Sequence, residues 1–438
     1  MEKYMRLESD SIGTMEVPED AYYGVQALRA KENFPITGTP VHPVFIKNLA
    51  KIKRAAAITN RKAGKLKPEI SYAIESACNE VICGMFEKEF IVDGIQGGAG
   101  TSANMNINEV IANRAIELLG GQKGDYSIVH PNDHVNCGQS TNDVIPTAGK
   151  MTSLRLLKNL KKELLRLHDA FSAKSEEFDH VIKMGRTQMQ DAVPIRLGQE
   201  FKAYSVAVMR DIRRMDIAMD EMRSLNMGGT AIGTGINADE AYLKRIVPNL
   251  SEVSGMDFIQ AFDLIDSTQN LDPFVSVSGA IKACAVTLSK IANDLRLMSS
   301  GPRAGFHEIN LPAKQNGSSI MPGKVNPVIP EVVNQVAFNV IGNDMTITMA
   351  AEAGHIHQMI AGLIVANPVV EGQHGHLVQN AFLLQRVGLA EGYQLLVGKH
   401  RNINGPGKLC SQALAADEQL TDLILFILQN NQKAAALH

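Results

Sequence analysis

Apolar residues recur at steps of three and four through long stretches of this chain. In one stretch the series is Leu154, Leu157, Leu160, Leu164, Leu167 and Phe171. In the next it is Leu197, Phe201, Tyr204, Val208, Ile212, Met215, Met219 and Met222. Such spacing predicts amphipathic helices packed side by side in a bundle. A third stretch, Pro273 to Met298, is apolar on nearly every face until Lys290, and a helix with so little polar face is expected to be buried among others. A fourth helix is predicted after Asn326-Pro327, through Val332, Val333, Val336 and Val340. Strand signals are sparse. The pattern predicts a mainly α fold with a central bundle of long helices. We expect an N-terminal domain over 1–140, the bundle over 141–395 and a short, atypical C-terminal region over 396–438.

Between the helices lie stretches rich in Gly, Ser, Thr and Asn. They are Gly97–Asn104, Cys137–Asp143, Gly185–Gln188 and Gly317–Asn326. Glycine lets a backbone approach a ligand closely. Hydroxyls, amides and helix-start N–H groups supply neutral donors, and Lys324 adds a cation. This set suits a carboxylate ligand. Taken singly, each loop is no more than a helix start with a Ser or Thr cap.

Composition narrows the picture without adding chemistry. The 438 residues are 45% apolar and 20% charged, which excludes a mostly disordered chain. A net charge of −3 implies no general attraction to nucleic acid or an anionic membrane. No uninterrupted apolar run reaches the length of a membrane span, so none is expected. The first ten residues lack a signal-peptide core, and the expected location is the cytoplasm. Five scattered cysteines form no recognised zinc spacing and fit reduced, buried thiols.

Taken together, the loops are specific. Gly317-Ser318-Ser319-Ile320-Met321-Pro322-Gly323-Lys324-Val325-Asn326-Pro327 closely resembles the signature of the aspartase/fumarase superfamily, and the other loops fall in that family's order. The opening Val17–Gln26, Arg29 and Glu32–Gly38 resemble the aspartase branch more than fumarases. So does Gln139–Asp143, where fumarases usually carry Ser in place of Thr141. At position 188 fumarases and some aspartases have His, while other aspartases have Gln, as here. The resemblance covers about residues 6 to 354.

The resemblance implies reversible deamination of L-aspartate to fumarate and ammonia. It makes Ser318 the general base that removes a proton beside the side-chain carboxylate. Thr101, Ser140, Thr141 and Ser319 match positions whose donors stabilise the resulting dianion. Lys324 and Asn326 match the α-carboxylate site, with Thr187 assisting, and Asn142 and Gln188 match the amino-group site. A glutamine is neither acid nor base at neutral pH, so Gln188 is expected to position substrate and to take no part in a relay with Glu331. No cofactor is implied. Some aspartases respond to divalent metal, but the matching region carries no metal signature. Family members are homotetramers whose sites combine loops from three subunits, and the same assembly is expected here. The competing readings are a fumarase, against which Thr141, Gln188 and Tyr22-Tyr23-Gly24 argue, and a non-catalytic structural protein on the same scaffold.

After Gly354 the match to the family fades, and the chain stops short of the length the resemblance implies. Six of the twelve histidines lie in this tail. His355, His357, His374 and His376 lack supporting Cys or acidic ligands for a metal. A solvated, variable tail is expected, with a divergent domain or an altered reading frame as alternatives.

Overall fold

The computed structural model describes residues 4–355, together with the two-residue strand Gly388–Leu389. A small hairpin, β1 (Met5–Ser9) and β2 (Thr14–Pro18), opens the chain. Four helices follow, α1 (Val25–Asn33), α2 (Pro43–Lys62), α3 (Pro68–Ile82) and α4 (Thr101–Leu118). Next come α5 (Thr141–Glu177), the hairpin β3 (Ile182–Thr187) and β4 (Gln190–Arg196), and α6 (Leu197–Glu221). Two short parallel strands, β5 (Ser224–Leu225) and β6 (Ile259–Gln260), flank α7 (Glu240–Ser254). The last helices described are α8 (Asp266–Gln269), α9 (Asp272–Met298) and α10 (Val328–Glu352).

The apolar series of the first long stretch is buried along α5, from Leu154 to Phe171. That of the second lines α6, where Leu197 to Met215 are buried and Met219 is partly buried. The two faces meet antiparallel. Phe201 lies 5.3 Å from Phe178, 6.2 Å from Phe171 and 5.7 Å from Tyr204, ring centre to ring centre. Such tilted and edge-on rings add to the burial energy of the pair. The antiparallel run continues to α9, where Tyr204 Oη donates to Asp294 at 3.0 Å. It continues again to α10, where Ser278 Oγ donates to Asp344 at 2.7 Å and Asn334 Nδ2 to Ser289 Oγ at 2.7 Å. The N-terminal helices dock on the first half of α5 through Asn48 Nδ2, which donates to Thr152 Oγ1 at 2.9 Å.

One expectation is met only in part. The helix Asp272–Met298 is apolar enough to span a bilayer by length and composition, with a window hydropathy of 1.4, yet only 50% of that window is buried. One face packs against α6 and α10, while Val286 on another face is exposed. Within the described residues of one copy, nothing fills the remaining side.

The far end of the bundle is pinned by buried charge. Lys183 on β3 bonds Glu200 on α6 at 2.9 Å and Glu308, beyond α9, at 2.7 Å. Arg186 also bonds Glu308. Burial alone would raise the Glu308 carboxyl, but Arg186 and Lys183 hold it below its usual value. This cluster fixes the β3–β4 hairpin against the segment that leads into the signature loop.

Removing the ring at the centre of the α5–α6 contact tests this packing. Phe201 is 0% exposed, and Phe201→Ala is expected to lower unfolding free energy by about 3–5 kcal/mol. Urea denaturation measures it, and a loss near zero would show that the aromatic cluster does not carry the contact.

Candidate active site

The start of α5 is built by a capping box. Ser140 Oγ accepts from Asn142 N at 3.2 Å, and Asp143 Oδ1 accepts from Ser140 N at 2.9 Å. Asp143 is fully buried, and its second oxygen accepts from Gly228 N and Thr230 N, both at 3.1 Å. A loop, Asn226–Asn237, is thereby wrapped over the helix start. Asn142 Nδ2 donates to Ala231 O in that loop at 2.7 Å. Its Oδ1 remains an acceptor, the polarity an ammonium group requires.

Thr141 stands at the first turn with Thr101, the first residue of α4, whose Oγ1 is 3.4 Å from Thr141 Oγ1. Asn104 Nδ2 also donates to Thr141 Oγ1, at 3.3 Å. With its oxygen accepting from these neighbours, the Thr141 hydroxyl keeps its own proton for a ligand. Beneath them lies Lys53, 0% exposed, which donates to Asn136 Oδ1 at 2.7 Å and Gln139 Oε1 at 3.0 Å. Burial pushes the Lys53 ammonium down to about 7, against the pull of Asp143. Burial pushes the Asp143 carboxyl up to about 6, opposed by the N–H groups of Ser140, Thr230 and Gly228 and by Lys53. Neutral donors and a helix N-terminus therefore meet at Thr141, with Lys53 buried behind Asn136 and Gln139, an arrangement suited to an anion.

Thr187 and Gln188 lie elsewhere, at the tip of the β3–β4 hairpin. Thr187 pairs with Gln190, leaving Gln188 and Met189 as a two-residue turn with φ of 53° and 61°. Left-handed backbone at two non-glycine residues is the conformation such a tight hairpin demands. Both side chains are exposed.

The signature loop is closed at its neck, where Gly317 N donates to Lys324 O at 3.1 Å. A Cβ at Gly317 would sit 3.0 Å from Asn326 N, so only glycine fits this closure. Ser318 Oγ accepts from Met321 N at 3.1 Å. That bond supplies one of the donors a serine alkoxide needs to act as a base. Ser319 and Lys324 are exposed, and Asn326 is half-buried.

The structure thus brings together Thr101, Ser140, Thr141 and Asn142. It places Thr187, Gln188, Ser318, Ser319, Lys324 and Asn326 at the opposite end of the bundle. The 37 residues of α5 separate the ends, a span of about 54 Å. A cavity of about 1380 Å³ lined by Phe34, Phe45, Phe90 and Asn343 holds none of these residues. Among the described residues no group of three or more His, Cys, Asp or Glu is placed to hold a metal. His355 is exposed, while His357, His374 and His376 lie outside the described residues. Sequence reasoning missed Lys53 and the Asn226–Asn237 loop. The loop shares the Gly- and Thr-rich composition of the stretches that were singled out. Lys53 had only the weaker signal of a cation beside Ile52 and Ala55–Ala57.

A model of the lyase family matches residues 13–342, and the chain belongs to that family. The aspartate ammonia-lyase of Bacillus subtilis (strain 168) is 46% identical over 439 residues, spanning 97% of this chain and 92% of the relative. That match extends past Gly354, where the quoted motifs stop. An aspartate ammonia-lyase from Bacillus sp is 56% identical over 350 residues, 80% of this chain and 75% of the relative. A solved structure of fumarate lyase:delta crystallin from Brucella melitensis, bound to cobalt, superposes with a TM-score of 0.83 at 48% identity. It covers 88% of this chain and 85% of that one.

Asp143 gives the helix start a pH signature. Its folded value of about 6 exceeds the ordinary 3.8, so the native chain holds this proton longer than the unfolded chain does. Its contribution to stability is full below about pH 4 and declines as pH rises through about 6. Asp143→Asn cannot ionise. The wild-type stability minus that of the variant is expected to fall between those pH values and then level off. Thermal melts across the range check this, and a difference that rises instead would overturn the assignment.

Proposed function

We infer that this chain is an aspartate ammonia-lyase, converting L-aspartate reversibly to fumarate and ammonia. The carrying observation is the cluster of Thr101, Ser140 and Thr141 hydroxyls at the positive end of a long helix, with Lys53 buried beneath them. These groups match the charge that develops in the reaction. Ser318, as alkoxide, takes a proton from the carbon beside the side-chain carboxylate. The electron pair moves into that carboxylate, giving a dianion held by the hydroxyl donors. The pair then forms the double bond as the C–N bond breaks and ammonia leaves. Each well-aimed donor contributes about 2.7–4 kcal/mol of transition-state stabilisation. Lys324 and Asn326 bind the α-carboxylate with help from Thr187, Ser319 joins the hydroxyl donors to the dianion, and Asn142 Oδ1 and Gln188 orient the amino group.

This reading needs no cofactor, and its partner is the small-molecule substrate. It does need more than one copy of the chain, because the base and the donors lie at opposite ends of α5. A homotetramer with shared sites accounts for both the separation and the apolar stripe of α10. There Phe338, Met345 and Met349 are 63%, 63% and 65% exposed. Stripes of this kind mark protein contacts.

Ser318→Ala is expected to abolish fumarate formation from L-aspartate, followed by its absorbance, while sizing still gives a tetramer. Unchanged turnover would remove Ser318 as the base. Fumarate from L-malate and none from L-aspartate, in wild-type protein, would make the chain a fumarase.

A further inference from the structure

One face of α4 carries Thr101, Asn104 and Asn108, spaced three and four residues apart. Asn104 is 2% exposed and Asn108 0%. Their Nδ2 atoms both donate to a single oxygen, Asn136 Oδ1, at 3.3 Å each. Lys53 Nζ donates to the same oxygen at 2.7 Å. Three donors thus meet on one amide oxygen, one more than it has lone pairs. Asn104 Nδ2 also donates to Thr141 Oγ1 at 3.3 Å. The buried Oδ1 atoms of Asn104 and Asn108 have no partner among the described residues.

A buried acceptor without a partner is costly, and a relaxed network would use both of these oxygens. The charge on Lys53 accounts for them. An ammonium donates and cannot accept, so the Asn136 atom that faces it is the oxygen. Asn136 Nδ2 is thereby turned to Gln139 O, to which it donates at 3.2 Å. Gln139 is fixed in the same sense, its Oε1 accepting from Lys53 at 3.0 Å and its Nε2 donating to Val135 O at 3.0 Å. The Asn104 and Asn108 atoms against Asn136 Oδ1 must then be nitrogens, because oxygen repels oxygen. Turning Asn104 over would also present an acceptor to Thr141. As it stands, Thr141 Oγ1 accepts from Asn104 and, at 3.4 Å, from Thr101. Both its lone pairs are taken, and its proton is left for a ligand.

We propose that Asn104 is a positioning residue for the elimination. It passes the donor-only polarity of Lys53, by way of Asn136, to the Thr141 hydroxyl, and so keeps that hydroxyl a donor to the substrate carboxylate. This rests on the aspartate-deaminating reading, and Asn104 acts on the substrate only through Thr141. A hydroxyl left to rotate can donate or accept. One whose proton is already aimed needs no reorganisation when charge develops on the carboxylate. The two orphan oxygens are the consequence of that fixed direction. The competing account is that the three asparagines only join α4 to the segment before α5.

The test uses the full chain and reads kcat, KM and, by calorimetry, the binding of succinate, a dicarboxylate with no leaving group. Asn104→Asp keeps the shape and inverts the polarity, so Thr141 turns its proton inward. The expected result is a kcat lowered by about a hundredfold, with KM raised no more than about tenfold and succinate bound about tenfold more weakly. When Asn104→Asp is combined with Thr141→Val, kcat is expected to match that of Thr141→Val alone within about threefold, because the hydroxyl through which Asn104 acts is gone. Losses that multiply in the double variant are what a structural role produces, and they overturn the proposal. So does an unchanged kcat in Asn104→Asp. Asn104→Leu removes the donor without adding charge and serves if Asn104→Asp does not fold. It is expected to lose about tenfold in kcat, and that loss must likewise vanish on Thr141→Val. Wild-type protein that binds succinate but forms no fumarate from L-aspartate removes the aspartate reading. Succinate binding by the Asn104 variants then decides this proposal, and unchanged binding overturns it. Wild-type protein that does neither removes both.

Discussion

The constraint on which everything else depends is the rigidity of one helix. α5 runs unbroken for 37 residues, even through Pro146. Its apolar face is locked antiparallel to α6 by four aromatic rings in tilted and edge-on contact. A strut of that length puts Thr141 at one end and Ser318 at the other. No local flexibility can close such a gap. Under the proposed reading the chemistry therefore needs more than one copy of the chain.

Each end is prepared for its task by different physics. At the donor end the device is a hydrogen-bond network. Asn136 accepts from Lys53 and Asn104, and Asp143 accepts from the backbone N–H groups of Ser140, Gly228 and Thr230. What remains unspent is the donor capacity of the Ser140 and Thr141 hydroxyls, whose oxygens already accept. Preorganised donors of this kind need no rearrangement when charge develops on a bound carboxylate. At the base end the device is a tether. The buried Lys183–Glu308 pair fixes the hairpin to the segment that leads into the signature loop. Breaking a buried pair of this sort strands a charge, so the tether is not readily released.

The half-covered helix Asp272–Met298 illustrates how an expectation drawn from one chain is resolved by more than one. Its pattern predicts burial on nearly all sides, and among the described residues only half of its most apolar window is buried. The exposed apolar residues of α10 tell the same story. Both belong to surfaces whose apolar character suits contact with other copies.

Sequence alone determined much of this protein. The steps of three and four set α5 and α6 and their buried faces, because a helix can bury only one stripe. The Ser, Thr and Gly loops were visible as polar stretches between the helices, and the signature loop carried the family. Other features were decided only by the tertiary structure. Lys53 reads in sequence as one more surface cation, and its burial under Asn136 and Gln139 depends on where α2 meets α5. The Asn226–Asn237 loop gains its role only by folding onto Asp143, far away in the chain. The distance between Thr141 and Ser318 is also invisible in sequence, since composition and spacing say which groups are present but not which end of a rigid bundle they occupy. Local pattern is set by steric and solvation rules that act over a few residues, whereas burial and separation depend on contacts between segments far apart in the chain.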